Sequence, residues 1–140
     1  MSIPKVVAII GGSRLHGLAQ IGSSKSHTHR ALIAASVSRG ESRIKNPSLS
    51  EDAQATIKAI EAYGAKVTAE NGDFLVTGTS QISTPEDIVD CGESASTMRF
   101  IVPILAHAKG ISVVTGGPSL RKRPMHPLID SLRQLGIQCY

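Results

Sequence analysis

The amino-acid sequence predicts an α/β (α+β) fold built from two copies of one helix–strand–helix–strand unit. Three observations predict it: an internal repeat of about 70 residues, alternating helix-period and strand-period segments, and an Asn-Gly turn between two strand-like runs. The repeat is read from four matches in order. Arg30 pairs with Arg99, Gly40 with Gly110, Pro47-Ser48-Leu49 with Pro118-Ser119-Leu120, and Gly64 with Gly136. The offset grows by single residues along the chain, as small loop insertions produce.

In the first copy a helix is expected from about Ser26 to Val37, so dense in apolar residues that most of its sides should be buried. A strand follows near Ser42–Lys45. The second helix, about Glu51–Tyr63, has Ser50 as its cap, Glu51 and Asp52 in its first turn and Gly64 as its stop. Lys66–Glu70 and Asp73–Thr77 then flank Asn71-Gly72, a dipeptide that accepts the positive φ values of a type I′ hairpin. A strand at Asp87–Cys91 leads into the second copy. There Met98, Ile101, Val102 and Leu105 mark a helix, and Pro103 within it implies a kink or an early start. Ile111–Thr115 reads as a strand, Pro124 as the opening of a last helix, and Ile137–Tyr140 as the start of another strand. The first copy continues at that point into a hairpin, so the sequence is expected to be truncated within or after the second unit.

The chain has 140 residues, 41% of them hydrophobic and 19% charged, which suits a packed domain rather than a disordered one. No apolar run has the roughly 18 residues needed to cross a bilayer, and no secretory leader is read at the start. Cys91 and Cys139 lack metal-binding or redox spacing, and a cytoplasmic, reduced protein is the simplest expectation. The net charge is +4, with two Phe, two Tyr and no Trp. So few aromatic platforms argue against single-stranded nucleic acid, and small anions suit the scattered cations better.

Anion-binding chemistry is expected at three predicted helix starts. The first is Gly22-Ser23-Ser24-Lys25-Ser26 with Arg30 a turn later; the second is Gly92-Glu93-Ser94-Ala95-Ser96 with Arg99; the third is Arg121-Lys122-Arg123 before Pro124. Small residues let backbone N–H groups approach an anion, the helix dipole favours negative charge, and the cations add full charges. Gly11-Gly12-Ser13-Arg14 follows an expected strand at Lys5–Ile10 but lacks the dinucleotide or P-loop pattern. His27 and His29 fall on different helix faces, so no shared metal is read there; Asp87 and Asp90 read as a solvated strand edge. No general acid–base pair is visible near these sites.

At the same motifs the chain resembles the 5-enolpyruvylshikimate-3-phosphate synthase family of enolpyruvyl transferases. Ser24-Lys25-Ser26-His27-Thr28-His29-Arg30-Ala31-Leu32 is similar to its SKSxxxRAL signature. The segment Asp90–Phe100 is similar to its second glycine-rich segment, and Arg123–Asp130 to its RPMxPLxxAL segment. The resemblance implies βαβαββ units, here about 22–85 and 86–140. It also implies that residues 1–21 form a strand and turn belonging to the other domain of a full enzyme. It implies transfer of the enolpyruvyl group of phosphoenolpyruvate to the 5-hydroxyl of shikimate 3-phosphate, with release of phosphate and no cofactor. Lys25 would contact both substrates, and Ser26 and Arg30 would hold shikimate 3-phosphate. Arg123 would pair with phosphoenolpyruvate, and the Ala95 backbone would line its pocket.

Two residues depart from that pattern. Glu93 stands where Asn is frequent, and is expected to point away from the anions or to pair with a base. Ala95 stands where Gly is usual, and its methyl should hinder glyphosate more than the shorter phosphoenolpyruvate. The acid–base residues of the family lie in later sequence, so the 140-residue chain by itself is expected to fold and to lack turnover. Two other readings remain: a UDP-N-acetylglucosamine enolpyruvyl transferase, against which the SKS and RPM segments count, and a non-catalytic anion- or RNA-binding domain.

Overall fold

The structure, a computed structural model, describes residues 8–12, 14 and 16–140. Residues 5–7 of the expected Lys5–Ile10 strand, and Ser13 of the turn after it, lie outside the described residues. Residues 8–10 carry no strand, and no helix or strand precedes Lys25 among the described residues.

The first copy forms helix α1 (Lys25–Ser36), strand β1 (Glu41–Ile44), helix α2 (Glu51–Glu61) and the hairpin β2 (Lys66–Glu70) and β3 (Asp73–Thr77). Each helix starts where a serine can accept from the backbone three residues on. Ser24 Oγ accepts from His27 N–H at 3.3 Å, and Ser50 Oγ from Ala53 N–H at 3.4 Å. Gly64, at φ 113°, ends α2 while Ala65 N–H reaches back to the Ile60 carbonyl at 3.2 Å. Asn71 (φ 52°) and Gly72 (φ 83°) both take positive φ, as the hairpin requires. The three strands make an antiparallel sheet in the order β1-β3-β2, with Ile44 opposite Phe74 and Val67 opposite Val76. The first helix is not buried on most sides. Thr28, His29, Leu32, Ala35 and Ser36 form one buried face, while Ala34 and Val37 are exposed.

The second copy begins with β4 (Val89–Asp90), which pairs in parallel with β5 (Val114–Thr115) across helix α3 (Ala95–Leu105). Both strands are shorter than expected because pairing is confined to two residues on each side. Helix α3 begins at its cap Ser94, whose Oγ accepts from Thr97 N–H at 3.3 Å, offset 70 from the equivalent serine of the first copy. Pro103 sits in its last turn, so the missing N–H costs the helix one hydrogen bond near its end and does not stop it early.

Two expectations about the C-terminal part are corrected. The last helix, α4 (His126–Gln134), opens two residues after Pro124. Arg123, at ψ 138°, is extended, as a residue before proline prefers, and Pro127 rather than Pro124 takes the first-turn place where no N–H is needed. Residues 137–140 are not a strand: no described strand pairs with them, and Arg133 instead donates to the Cys139 carbonyl at 2.8 Å.

The core runs between α1, α2, α3 and the inner face of the sheet. Leu32, Ile60, Tyr63, Val76, Ile101 and Leu120 are fully buried within it. The Tyr63 hydroxyl is satisfied there by Ser36 Oγ.

Candidate anion-binding site

The N-terminal turns of α1, α2 and α3 meet at one end of the molecule, held by side chains of those turns. Lys25 Nζ lies 2.6 Å from Asp52 Oδ2, joining α1 to α2. His29 Nδ1 is 2.6 Å from Thr56 Oγ1, which lies 2.7 Å from Thr97 Oγ1, and Thr97 donates to Ser94 Oγ at 2.7 Å. The Asp52 carbonyl accepts from Thr56 Oγ1 at 3.1 Å. This chain of polar groups runs from the signature helix of the first copy to the cap of the second. A further contact sets the Arg30 guanidinium 5.6 Å from the centroid of the Phe100 ring.

His29 is 1% exposed, and its Nε2 has no hydrogen-bond partner among the described residues. A neutral ring donating from Nδ1 to Thr56 leaves only an unprotonated Nε2 without a bond, whereas the imidazolium would bury an unsatisfied N–H. Burial accordingly lowers the His29 pKa below its ordinary value of 6.5; Asp52 opposes this, and Lys25 and Arg30 add to it. With the folded value below the unfolded one, the unfolded chain takes up the proton first as pH falls. Stability attributable to His29 is therefore intact above about pH 6.5 and is lost progressively below it. Thermal melts at pH 8.0 and pH 5.5 should show a smaller acid loss in His29→Asn than in the wild type. The same loss in both proteins would remove His29 as the cause.

Lys25, Ser26 and Arg30 lie on the exposed side of the first turns of α1. The first-turn N–H groups of α1 and α3 have no partners within their helices beyond those the serine caps satisfy. Ala95 is 9% exposed and packs with the core cluster. Among the described residues, Arg30, Arg99, Arg121, Lys122 and Arg123 form no ion pair, so their charges are not spent on internal carboxylates.

Arg123 follows a 3-10 turn over Leu120–Lys122, and its N–H donates to the Leu120 carbonyl at 2.9 Å. That turn is fastened to the start of α3. Glu93 Oε2 accepts from Leu120 N–H at 2.8 Å and Oε1 from Ser119 N–H at 3.2 Å, while Gly117 N–H reaches the Gly92 carbonyl at 2.7 Å. Of the two expectations for Glu93, pointing away from the anions or pairing with a base, the second is corrected: its partners are the Ser119 and Leu120 amides. Asp90 is more than a solvated edge, since its Oδ1 accepts from Gly92 N–H at 2.9 Å and shapes the turn before Glu93. Cys91 is buried, and burial followed by the charge of Asp90 pushes its thiol up to about 12, which leaves it inert.

The contacts of His29, Thr56 and Glu93 were not expected from the sequence, where His29 was weighed only as a metal ligand and Glu93 as turned from the anions or paired with a base. For the first two a signal was present: Thr28, His29 and Ser36 share a face with Leu32 and Ala35, and Thr56 with Ala53 and Ile60. Polar residues at such positions need buried partners.

The starts of α1, α2 and α3, brought together with Arg30 and Arg99 outside any ion pair among the described residues, make an arrangement whose chemistry suits an anion. A family model described as EPSP synthase (3-phosphoshikimate 1-carboxyvinyltransferase) matches residues 9–140, and the chain belongs to that family. It is 44% identical over 130 residues to a 3-phosphoshikimate 1-carboxyvinyltransferase of Halobacterium salinarum, covering 92% of this chain and 30% of that protein. The protein of the same name from Methanococcus maripaludis is 41% identical over 128 residues, covering 91% of this chain and 30% of its own length. Among solved structures, EPSP synthase from Acinetobacter baumannii superposes with a TM-score of 0.80 at 30% identity, over 87% of this chain and 28% of that one. The chain thus spans about 30% of the length of the curated relatives it matches. The fold is accordingly a piece of the enolpyruvyl transferase α/β fold. No described helix is long and apolar enough to cross a membrane.

Proposed function

We propose that this chain supplies part of an enzyme that transfers the enolpyruvyl group of phosphoenolpyruvate to the 5-hydroxyl of shikimate 3-phosphate and releases phosphate. The observation that carries this is that the starts of α1 and α3 are joined through Thr56 of α2, with the Arg123 loop fastened to the start of α3. Both substrates are anions, and the residues offered to them are cations and first-turn N–H groups. Ser26 and Arg30 hold shikimate 3-phosphate; Lys25 reaches both substrates; Arg123 pairs with phosphoenolpyruvate, beside the Ala95 backbone. Preorganised charge of this kind stabilises a transition state in which charge builds on the transferred group. Acid–base groups come from sequence beyond this chain, no cofactor takes part, and the complete enzyme works in the cytoplasm. The described residues before Gly22 belong with the other domain, a reading supported by the exposure of Ile9, Ile10, Leu18 and Ile21. The similarity of names and motifs does not favour the UDP-N-acetylglucosamine enzyme or an RNA-binding module.

Calorimetric titration of this chain with shikimate 3-phosphate and with a short RNA tests the proposal. Weak, salt-sensitive binding of shikimate 3-phosphate is expected, because part of the cleft is elsewhere; preferential binding of RNA would overturn it. In the complete enzyme, Ala95→Gly should lower the glyphosate inhibition constant, measured in competition with phosphoenolpyruvate, by about tenfold, as removal of a clashing methyl does. Unchanged constants would place that methyl wholly in the core.

A further inference from the structure

We infer that Glu93 is the positioning residue that sets Arg123 against the start of α3, an inference that rests on the proposed role of Arg123 toward phosphoenolpyruvate. A carboxylate beside an anion site would ordinarily weaken it. Here both oxygens are committed elsewhere, to the N–H groups of Ser119 and Leu120. Leu120 carries the connection onward. Its N–H is held by Glu93, its side chain is 1% exposed in the core, and its carbonyl accepts from Arg123 N–H. Two glycines make the clamp possible. A Cβ on Gly116 would stand 2.5 Å from Leu120 Cδ2 and 2.9 Å from the Gly92 carbonyl oxygen. A Cβ on Gly117 would stand 2.3 Å from Glu93 Oε1. Gly117 thus leaves the room the carboxylate occupies, and Gly117 N–H closes the clamp on the Gly92 carbonyl.

Two substitutions open the clamp by different routes. Glu93→Gln replaces one acceptor with an NH2 group that faces a backbone N–H. Gly117→Ala keeps the charge but pushes the flexible end of Glu93 off its partners. In the complete enzyme each should raise the dissociation constant for phosphoenolpyruvate by about tenfold, a size typical of a small misplacement of a binding group. Affinity for shikimate 3-phosphate, held at α1, should change by less than about twofold, and in an Arg123→Ala background neither substitution should add more than about twofold. Exchange of the Ser119 and Leu120 amides, followed by NMR, should be faster in both variants. Equal losses for both substrates, wild-type phosphoenolpyruvate affinity, or a full loss persisting without Arg123 would each overturn the inference. If Arg123→Ala alone leaves phosphoenolpyruvate affinity unchanged, the proposed role of Arg123 fails and the exchange rates separate the two failures. Faster exchange leaves Glu93 as the anchor of the loop, and unchanged exchange overturns that as well.

Discussion

Gly78→Ala should lower the melting temperature by roughly 10 °C, the effect of a loss on the order of 3 kcal/mol in a chain of this size. A Cβ at Gly78 would stand 2.0 Å from the Ser38 carbonyl oxygen and 2.3 Å from that of Ala35, and both obstacles are backbone. They belong to the end of α1 and the loop after it. Neighbouring bonds fix the approach: Gly78 N–H donates to the Gly40 carbonyl at 3.1 Å and Thr79 N–H to that of Ser36 at 2.8 Å. A methyl must therefore push the exit of β3 away from α1. Gly40→Ala is the control. Its φ is 86° but nothing lies within 4 Å of the added carbon, so only left-handed strain of about 1–2 kcal/mol is expected. A Gly78→Ala melt within 2–3 °C of wild type, roughly a 1 kcal/mol change, would contradict the close approach.

Lys25→Ala should weaken both substrates in the complete enzyme by about 10- to 100-fold each, the range for losing a charge-assisted hydrogen bond of roughly 1.5–3 kcal/mol. Arg30→Ala should weaken shikimate 3-phosphate by a similar factor and phosphoenolpyruvate much less. In the structure Lys25 is paired with Asp52 at 2.6 Å, with side chains 53% and 28% exposed. Such a partly solvated pair contributes about 0–1 kcal/mol, so an anionic substrate can draw the ammonium away at little cost. Stability should accordingly change far less than binding. Wild-type affinity for both substrates in Lys25→Ala, measured by calorimetry, would move the site away from the start of α1.

Much of the fold was legible because the determining chemistry is local. Ser24, Ser50 and Ser94 each lie three residues before the amide they cap, and Asn71-Gly72 carries its own φ preference. Ser24 and Ser94, 70 residues apart, cap α1 and α3 in the same way, which is where a repeat of about 70 residues would put them. Strand ends were not legible. The two-residue β4–β5 pairing and the unpaired residues 137–140 depend on which neighbour is present, and periodicity does not encode that. Nor was the choice between Pro124 and Pro127, two prolines three residues apart that both suit a first turn. The cations expected at the candidate site were read from their motifs. The partners that fix them were not: Glu93 meets Ser119 and Leu120, and His29 meets Thr56, each 26 or 27 residues away in sequence.

The most direct test is phosphate release from phosphoenolpyruvate by the complete enzyme containing this chain, with shikimate 3-phosphate or UDP-N-acetylglucosamine as acceptor. Steady-state release that depends on shikimate 3-phosphate, and that this 140-residue chain alone does not support, is the predicted result. Release that depends on UDP-N-acetylglucosamine instead, or no release with either acceptor, would contradict it.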